Sequence, residues 1–69
     1  MLKARDIIRV LKMLKFFEIR TKGSHIFFKH IDGRTTVIPK HGGEDIGRGL
    51  LRQIFKEINV SPEEFLNLL

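Results

Sequence analysis

A glycine-serine dipeptide, Gly23-Ser24, separates two runs that are rich in apolar and β-branched residues. Glycine at the first central position of a two-residue turn supplies the positive φ of a type II′ turn, so the dipeptide predicts a β-hairpin. The residues on either side of it, Lys22 and His25, then face each other across the two strands. This turn sets the register of the hairpin and places a histidine beside a lysine.

Side chains alternate between the two faces of a strand, so the predicted hairpin has two different surfaces. Counting outward from the turn assigns to one face Glu18, Arg20, Lys22, His25, Phe27 and Lys29. The count assigns to the other face Phe17, Ile19, Thr21, Ile26, Phe28 and His30. The second set is largely apolar and predicts the side that packs on a core. The first set is basic with one aromatic ring, as expected of a surface that binds a polyanion.

Helical spacing of apolar residues and turn signals predict the remaining elements. The predicted elements are a helix over 4–14, strands over 16–22, 25–30 and 35–39, and helices over 47–58 and 62–68. The inward stripe of the second helix is Leu50, Leu51, Ile54, Phe55 and Ile58. Asn59 is expected to end that helix, and Ser61, Pro62 and Glu64 predict a capped start for the last one. This order predicts an α+β fold, α-β-β-β-α-α, in which helices cover one face of a three-stranded antiparallel meander.

The dipeptide Asp32-Gly33 predicts the second turn, because Asp-Gly suits a type I′ turn with positive φ at both central residues. A loop of two residues at this point places Thr36 and Ile38 on the basic face and Val37 on the apolar face. A longer loop changes this register, so the assignment depends on the loop length.

The charge balance limits the classes of partner. Thirteen Lys and Arg against eight Asp and Glu, in 69 residues, give a net charge of +5, which favours nucleic acid, an acidic protein or an anionic membrane. No apolar run approaches the ~20 residues of a membrane-spanning helix, and we expect a single cytoplasmic domain, 1–69, without membrane contact. There is no cysteine, and the three histidines lack the spacing of a metal site. We therefore expect no metal and no cofactor.

Several segments together point to a known family. In chain order they are Lys3-Ala4-Arg5-Asp6, Arg20, Lys22-Gly23-Ser24-His25, Phe28, Pro39-Lys40-His41, Gly49-Leu50-Leu51-Arg52-Gln53-Ile54 and Ser61-Pro62-Glu63-Glu64-Phe65. With them the chain resembles the HicA family of toxin mRNA interferases, small partners of HicB antitoxins, and its order of elements resembles the double-stranded-RNA-binding-domain fold. One departure is Gly49-Leu50-Leu51, where members of that family commonly have Gly-Thr-Leu.

The resemblance implies the toxin of a type II toxin–antitoxin system that cleaves mRNA without a metal. It implies that the histidine of Gly-Ser-His, here His25, is catalytic. It further implies a HicB-type antitoxin as inhibitor, in a toxin–antitoxin hetero-oligomer.

RNA carries its own nucleophile, the ribose 2′-hydroxyl, so a metal-free ribonuclease needs a base, an acid and cations that stabilise the phosphorane. Imidazole serves as base or acid near neutral pH, and we assign this role to His25. The residues expected to bind RNA are Arg20, Lys22, Ser24, Phe27 and Lys29, with Phe27 stacking a base. His41 is a candidate auxiliary group, and His30, on the apolar face, is expected to be a packed or edge residue.

Two other functions remain open at this point. The first is a non-catalytic RNA-binding module of the same fold, in which His25 only contacts phosphate. The second is a protein-interaction domain with no RNA role. Steep salt dependence of binding separates the RNA-binding functions from the last one.

Overall fold

The computed structural model describes residues 2–40 and 43–69. Its elements in chain order are α1 (Ala4–Met13), β1 (Phe17–Lys22), β2 (His25–Lys29), β3 (Thr35–Pro39), α2 (Arg48–Ile58) and α3 (Pro62–Asn67). The strands form one antiparallel sheet in the order β1-β2-β3, and helices flank it. The predicted α+β order of elements, like that of a double-stranded-RNA-binding domain, is confirmed, and each boundary lies within one residue of the prediction.

The sheet has a covered side and an open side. The covered side, which we call the inner face, carries four buried residues: Ile26, Phe28, Thr36 and Ile38. The helix residues buried with them in one core include Ile7, Val10, Leu11, Ile54, Ile58 and Phe65. We call outer face the opposite side, where β2 presents His25, Phe27 and Lys29. His25 and Lys29 are exposed, so this side is open to solvent.

The register of β3 differs from the prediction by one residue. The pairs that bring β3 onto the outer face are His25 with Pro39, Phe27 with Val37 and Lys29 with Thr35. A shift of one residue moves every side chain of a strand to the other face. Ile38 and Thr36 are therefore buried on the inner face, and Val37 is half-buried on the outer face. The predicted assignment of these three residues is wrong.

The shift originates in the turn between β2 and β3. Of its residues only Gly33 has a positive φ, +101°, whereas a type I′ turn needs two such residues. The His30 N–H donates to the Arg34 carbonyl at 2.8 Å, and the Gly33 N–H donates to the His30 carbonyl at 2.9 Å. The loop inside the His30–Arg34 pair thus has three residues, and a glycine with positive φ is typical at its end.

Arg34 connects this turn to the rest of the molecule. Its guanidinium binds the Asp32 carboxylate at 2.9 Å, lies 5.0 Å from the centroid of the Phe16 ring and donates to the Ile58 carbonyl at the end of α2. His30 packs edge-on against the same Phe16 ring, with the centroids 5.1 Å apart. The prediction that His30 is a packed residue is confirmed. These contacts connect the turn to Phe16 and to the end of α2.

The Asp32–Arg34 pair makes the stability of this turn depend on pH. Hydrogen bonds from the Arg34 side chain and then its backbone N–H hold the pKa of Asp32 below its usual value. A lowered pKa stabilises the fold above the ordinary carboxyl pKa of ~3.9, and this contribution is lost as the pH falls through the folded-state value.

We expect Asp32→Asn to lower the free energy of unfolding at pH 7, with the difference from wild type shrinking below about pH 4. Urea unfolding at both pH values measures it, with Glu44→Gln as a control for loss of one exposed carboxylate. A difference that is equal at the two pH values would contradict the expectation.

A β-bulge at Ile19 changes the faces of the first part of β1. Phe17 pairs with Lys29 and lies on the outer face, while the Glu18 carboxylate accepts a hydrogen bond from the Thr21 hydroxyl at 2.8 Å on the other side. Phe17 and Ile19 are each 49% exposed. The predicted positions of Phe17 in the core and of Glu18 on the basic face are therefore wrong, because one extra residue interrupts the alternation.

The inward stripe of α2 is narrower than predicted. Ile54, Phe55 and Ile58 are buried, whereas Leu50 is 37% exposed. At ~100° per residue Leu50 lies at one edge of the stripe and Phe55 near the other. α3 covers the Phe55 edge, where the rings of Phe55 and Phe65 lie 4.8 Å apart. The Leu50 edge has no such cover from α3.

Both helix-end predictions are confirmed. Asn59 ends α2 in the left-handed conformation, with φ of 57°. At α3 the Ser61 hydroxyl accepts from the Glu64 N–H at 3.1 Å, and the Glu64 carboxylate accepts from the Ser61 N–H at 3.4 Å. This reciprocal pair satisfies donors that the first turn of a helix leaves free.

Candidate nucleic-acid interface

The turn between β1 and β2 places His25 on the outer face. Gly23 has φ of +60°, and Ser24 keeps a negative φ, as a type II′ turn requires. Lys22 and His25 are cross-strand partners, as predicted, and both are exposed. The imidazole thus lies at the end of the sheet next to an ammonium group.

Arg20 and Phe27 form the next pair along the hairpin. The guanidinium carbon of Arg20 lies 4.5 Å from the centroid of the Phe27 ring, a cation–π contact. One side of the ring is therefore covered by arginine, and Phe27 is half-buried. We call these two packed side chains the Arg20–Phe27 platform; Phe27 lies two residues along β2 from His25.

The other predicted residues occupy two different positions. Lys29 is exposed at the far end of β2, on the same face as His25. Ser24 lies in the turn itself, where its carbonyl accepts a hydrogen bond from the Lys40 N–H at 2.6 Å. His41 lies outside the described residues. The structure thus brings Arg20, Lys22, Phe27 and Lys29 together with His25 on one face.

The positive charge of this face is not neutralised by neighbouring carboxylates. In residues 2–40 and 43–69, the ion pairs of lysine and arginine are Lys3 with Asp45, Arg5 with Asp6, and Arg34 with Asp32. Arg20, Lys22 and Lys29 belong to none of these pairs. With Glu18 moved to the other side by the bulge, the outer face is more purely cationic than the alternation predicts.

The third strand adds residues to this face that the predicted register excluded. Pro39 lies beside His25, Val37 beside Phe27 and Thr35 beside Lys29. Counting the loop between His30 and Arg34 as three residues, with glycine at its positive-φ end, would have found them. The Lys40 N–H donates to the Ser24 carbonyl of the turn. Lys40 belongs to a segment that resembles the family, but the sequence predicts no role for it.

The part of the chain that the structure describes contains no group of three or more His, Cys, Asp or Glu side chains close enough to hold a metal ion. Its helices all fall short of the length and apolar character that crossing a bilayer requires.

Comparison with known proteins is consistent with this geometry. A family model described as "HicA toxin of bacterial toxin-antitoxin" matches residues 4–60, most of the chain. The chain belongs to the HicA toxin family. The matched range contains the whole sheet and α2, and therefore the outer face and His25, while α3 follows it.

One curated relative was also found. It is "Probable mRNA interferase HicA" of Pseudomonas fluorescens (strain Pf0-1), which is 41% identical over 39 residues. The match covers 56% of this chain and 63% of the relative. The chain thus spans less than two thirds of the length of this HicA relative.

Proposed function

We propose that this chain is the toxin of a toxin–antitoxin pair and cleaves mRNA as a metal-independent endoribonuclease, with His25 as its catalytic acid or base. The observation that carries the proposal is the Lys22–His25 pair at the glycine turn, exposed on a face of unneutralised cations. Membership of the HicA family and the name of the relative, a probable mRNA interferase, support the same activity. The site of action is then the cytoplasm, where mRNA is found.

The chemistry needs a base, an acid and cations, and water serves as the second of the two proton-transfer partners. His25 takes the proton of a ribose 2′-hydroxyl as the 2′-oxygen bonds to phosphorus, while water protonates the 5′-oxygen as its bond to phosphorus breaks, or His25 protonates the 5′-oxygen while water takes the 2′-hydroxyl proton. The products are a 2′,3′-cyclic phosphate and a free 5′-hydroxyl. Lys22, adjacent to His25, stabilises the negative charge of the phosphorane.

The Arg20–Phe27 platform positions the substrate. Because the guanidinium already covers one side of the Phe27 ring, a splayed base stacks on the Arg20 plane, which the ring supports from beneath. Lys29 extends the cationic track along β2 and contacts a further phosphate. Stacking of this kind is largely independent of base identity.

The partner proposed for the same face is a HicB-type antitoxin that forms a hetero-oligomer with the toxin. The outer face combines cations with the half-exposed Phe17 and the half-buried Phe27 and Val37. An acidic protein surface with apolar anchors complements this mixture. Such a partner would exclude RNA from His25 by covering it.

The decisive experiment compares cleavage of an RNA oligonucleotide with that of the same strand carrying 2′-deoxyribose at every position. Purified protein should cut only the RNA, leave 2′,3′-cyclic phosphate ends and keep its activity in excess chelator. Activity lost in chelator, or equal cutting of the deoxy strand, would contradict the mechanism. Salt-dependent RNA binding with no cutting would instead identify the non-catalytic RNA-binding module.

A further inference from the structure

A cavity of about 280 Å³ lies at the start of α1, lined by Lys3, Ala4, Arg5, Lys40 and Gly43. Neither Arg20 nor Phe27 of the platform on the outer face lines this cavity. Among the lining residues that the structure describes, Lys3, Arg5 and Lys40 are cations, and they come from two distant parts of the sequence.

Lys40 connects the cavity to the proposed cleavage site in the chain, because it lines the cavity and follows the residue that pairs with His25. Pro39 is that residue, and the Lys40 N–H donates to the Ser24 carbonyl at 2.6 Å. Lys40 is thus fixed by its backbone at the edge of the turn that precedes His25.

Contacts within the protein fix the walls of the cavity. The Lys3 ammonium donates to the Gly43 carbonyl at 2.5 Å and to the Asp45 carboxylate at 3.2 Å. A β-bridge pairs Lys3 with Asp45, and the Ile46 N–H donates to the Leu2 carbonyl at 2.8 Å. The Lys3 ammonium is therefore already paired within the protein. Its contacts also hold the segment after residue 43 against the start of α1.

Two cations remain for a ligand. The Arg5 side chain is 78% exposed, and its contact with Asp6, at 4.0 Å, is at the limit of an ion pair. Lys40 is exposed and forms no ion pair with any residue that the structure describes. The methylene stems of lysine and arginine give such a cavity walls of carbon with charged ends, which suits a sugar joined to a phosphate better than a bare anion.

We propose that this cavity binds the ribose-phosphate unit next to the one cleaved at His25, with Arg5 and Lys40 contacting its phosphate. The assignment rests on the proposed function, since it takes single-stranded RNA as the substrate. The RNA then follows the outer face, crosses the end of the sheet at Pro39 and Lys40, and ends against α1. Arg5 and Lys40 then determine how many nucleotides of the RNA strand contact the protein.

The test measures binding of 2′-fluoro single strands, which lack the nucleophilic hydroxyl, to wild type and to the Arg5→Gln/Lys40→Gln variant. For single strands the slope of log affinity against log salt is about −0.7 per neutralised phosphate. We expect the variant to reduce the slope by about 0.7, the value for one phosphate, with a hexanucleotide and to leave it unchanged with a dinucleotide. The control, Arg52→Gln/Lys56→Gln, removes two exposed cations of α2 that do not line the cavity, and it should retain the wild-type slope with both strands.

Each other outcome has a distinct meaning. A hexanucleotide slope equal to that of wild type would overturn the subsite and leave the proposed function intact. Equal losses with the dinucleotide and the hexanucleotide would place both cations at the cleavage site, which also overturns a neighbouring subsite. Absence of RNA binding by wild type would refute the proposed function itself. Circular dichroism of both double variants confirms that differences in binding do not come from unfolding.

Discussion

Replacing His25 by alanine should reduce the rate of RNA cleavage by about 10²- to 10⁴-fold, the usual contribution of a general acid or base. His25 is exposed on the outer face, so the change leaves the buried core intact and the protein should remain folded. The cations and the Arg20–Phe27 platform also remain. RNA binding should therefore change far less than cleavage.

The measurement is the rate of cutting of a defined RNA by purified protein, together with the affinity for a 2′-fluoro strand. His30→Asn is the matched control, because that histidine packs on Phe16 instead of lying on the outer face. It should lower stability and keep the cleavage activity of the folded protein. Wild-type activity in the His25 variant would remove the mechanism proposed for this chain.

Replacing Ile38 by alanine should lower the free energy of unfolding by about 2–5 kcal/mol, the range measured for buried isoleucine and leucine. Ile38 has no exposed surface and packs in the core with Phe28 and Ile54. A domain of this size has a total stability of roughly 3–10 kcal/mol. The substitution should therefore remove a large share of the stability, and part of the protein should be unfolded at 37 °C.

The neighbouring position provides the matched control. Val37 is half-buried on the outer face, so Val37→Ala should cost less than about 1 kcal/mol, since little apolar surface is withdrawn from water there. Urea unfolding of both variants decides the register of β3. A larger loss for Val37→Ala than for Ile38→Ala would favour the two-residue loop that the sequence predicted.

The two proposals together assign RNA binding to two sets of residues, one on the outer face and one in the cavity at α1. In that arrangement the platform and Lys22 would contact the nucleotides at the cleaved bond, and Arg5 and Lys40 would hold the strand beyond it. An antitoxin that covers only the outer face would then block cleavage without occupying the cavity. The two sets also respond differently to salt, because stacking on Arg20 and Phe27 depends on salt less than phosphate contacts do.

The features that short segments control could be predicted from the sequence. The Gly23-Ser24 turn, the pairing of Lys22 with His25, and the caps at Asn59 and Ser61 each depend on a few adjacent residues. Glycine at positive φ, or a hydroxyl that accepts from an N–H three residues on, acts over one turn of chain. The position of the candidate catalytic histidine belongs to this class, and so it was predicted correctly.

Contacts between distant parts of the chain decided the rest. The three-residue loop that buries Ile38 places Arg34 against Phe16 and Ile58, and α3 covers the Phe55 edge of α2 but leaves Leu50 exposed. The bond from Lys40 to Ser24 and the cavity beside α1 likewise join segments far apart in sequence. A strand has the same local pattern in two registers one residue apart, and only its packing against the helices determines which face is buried.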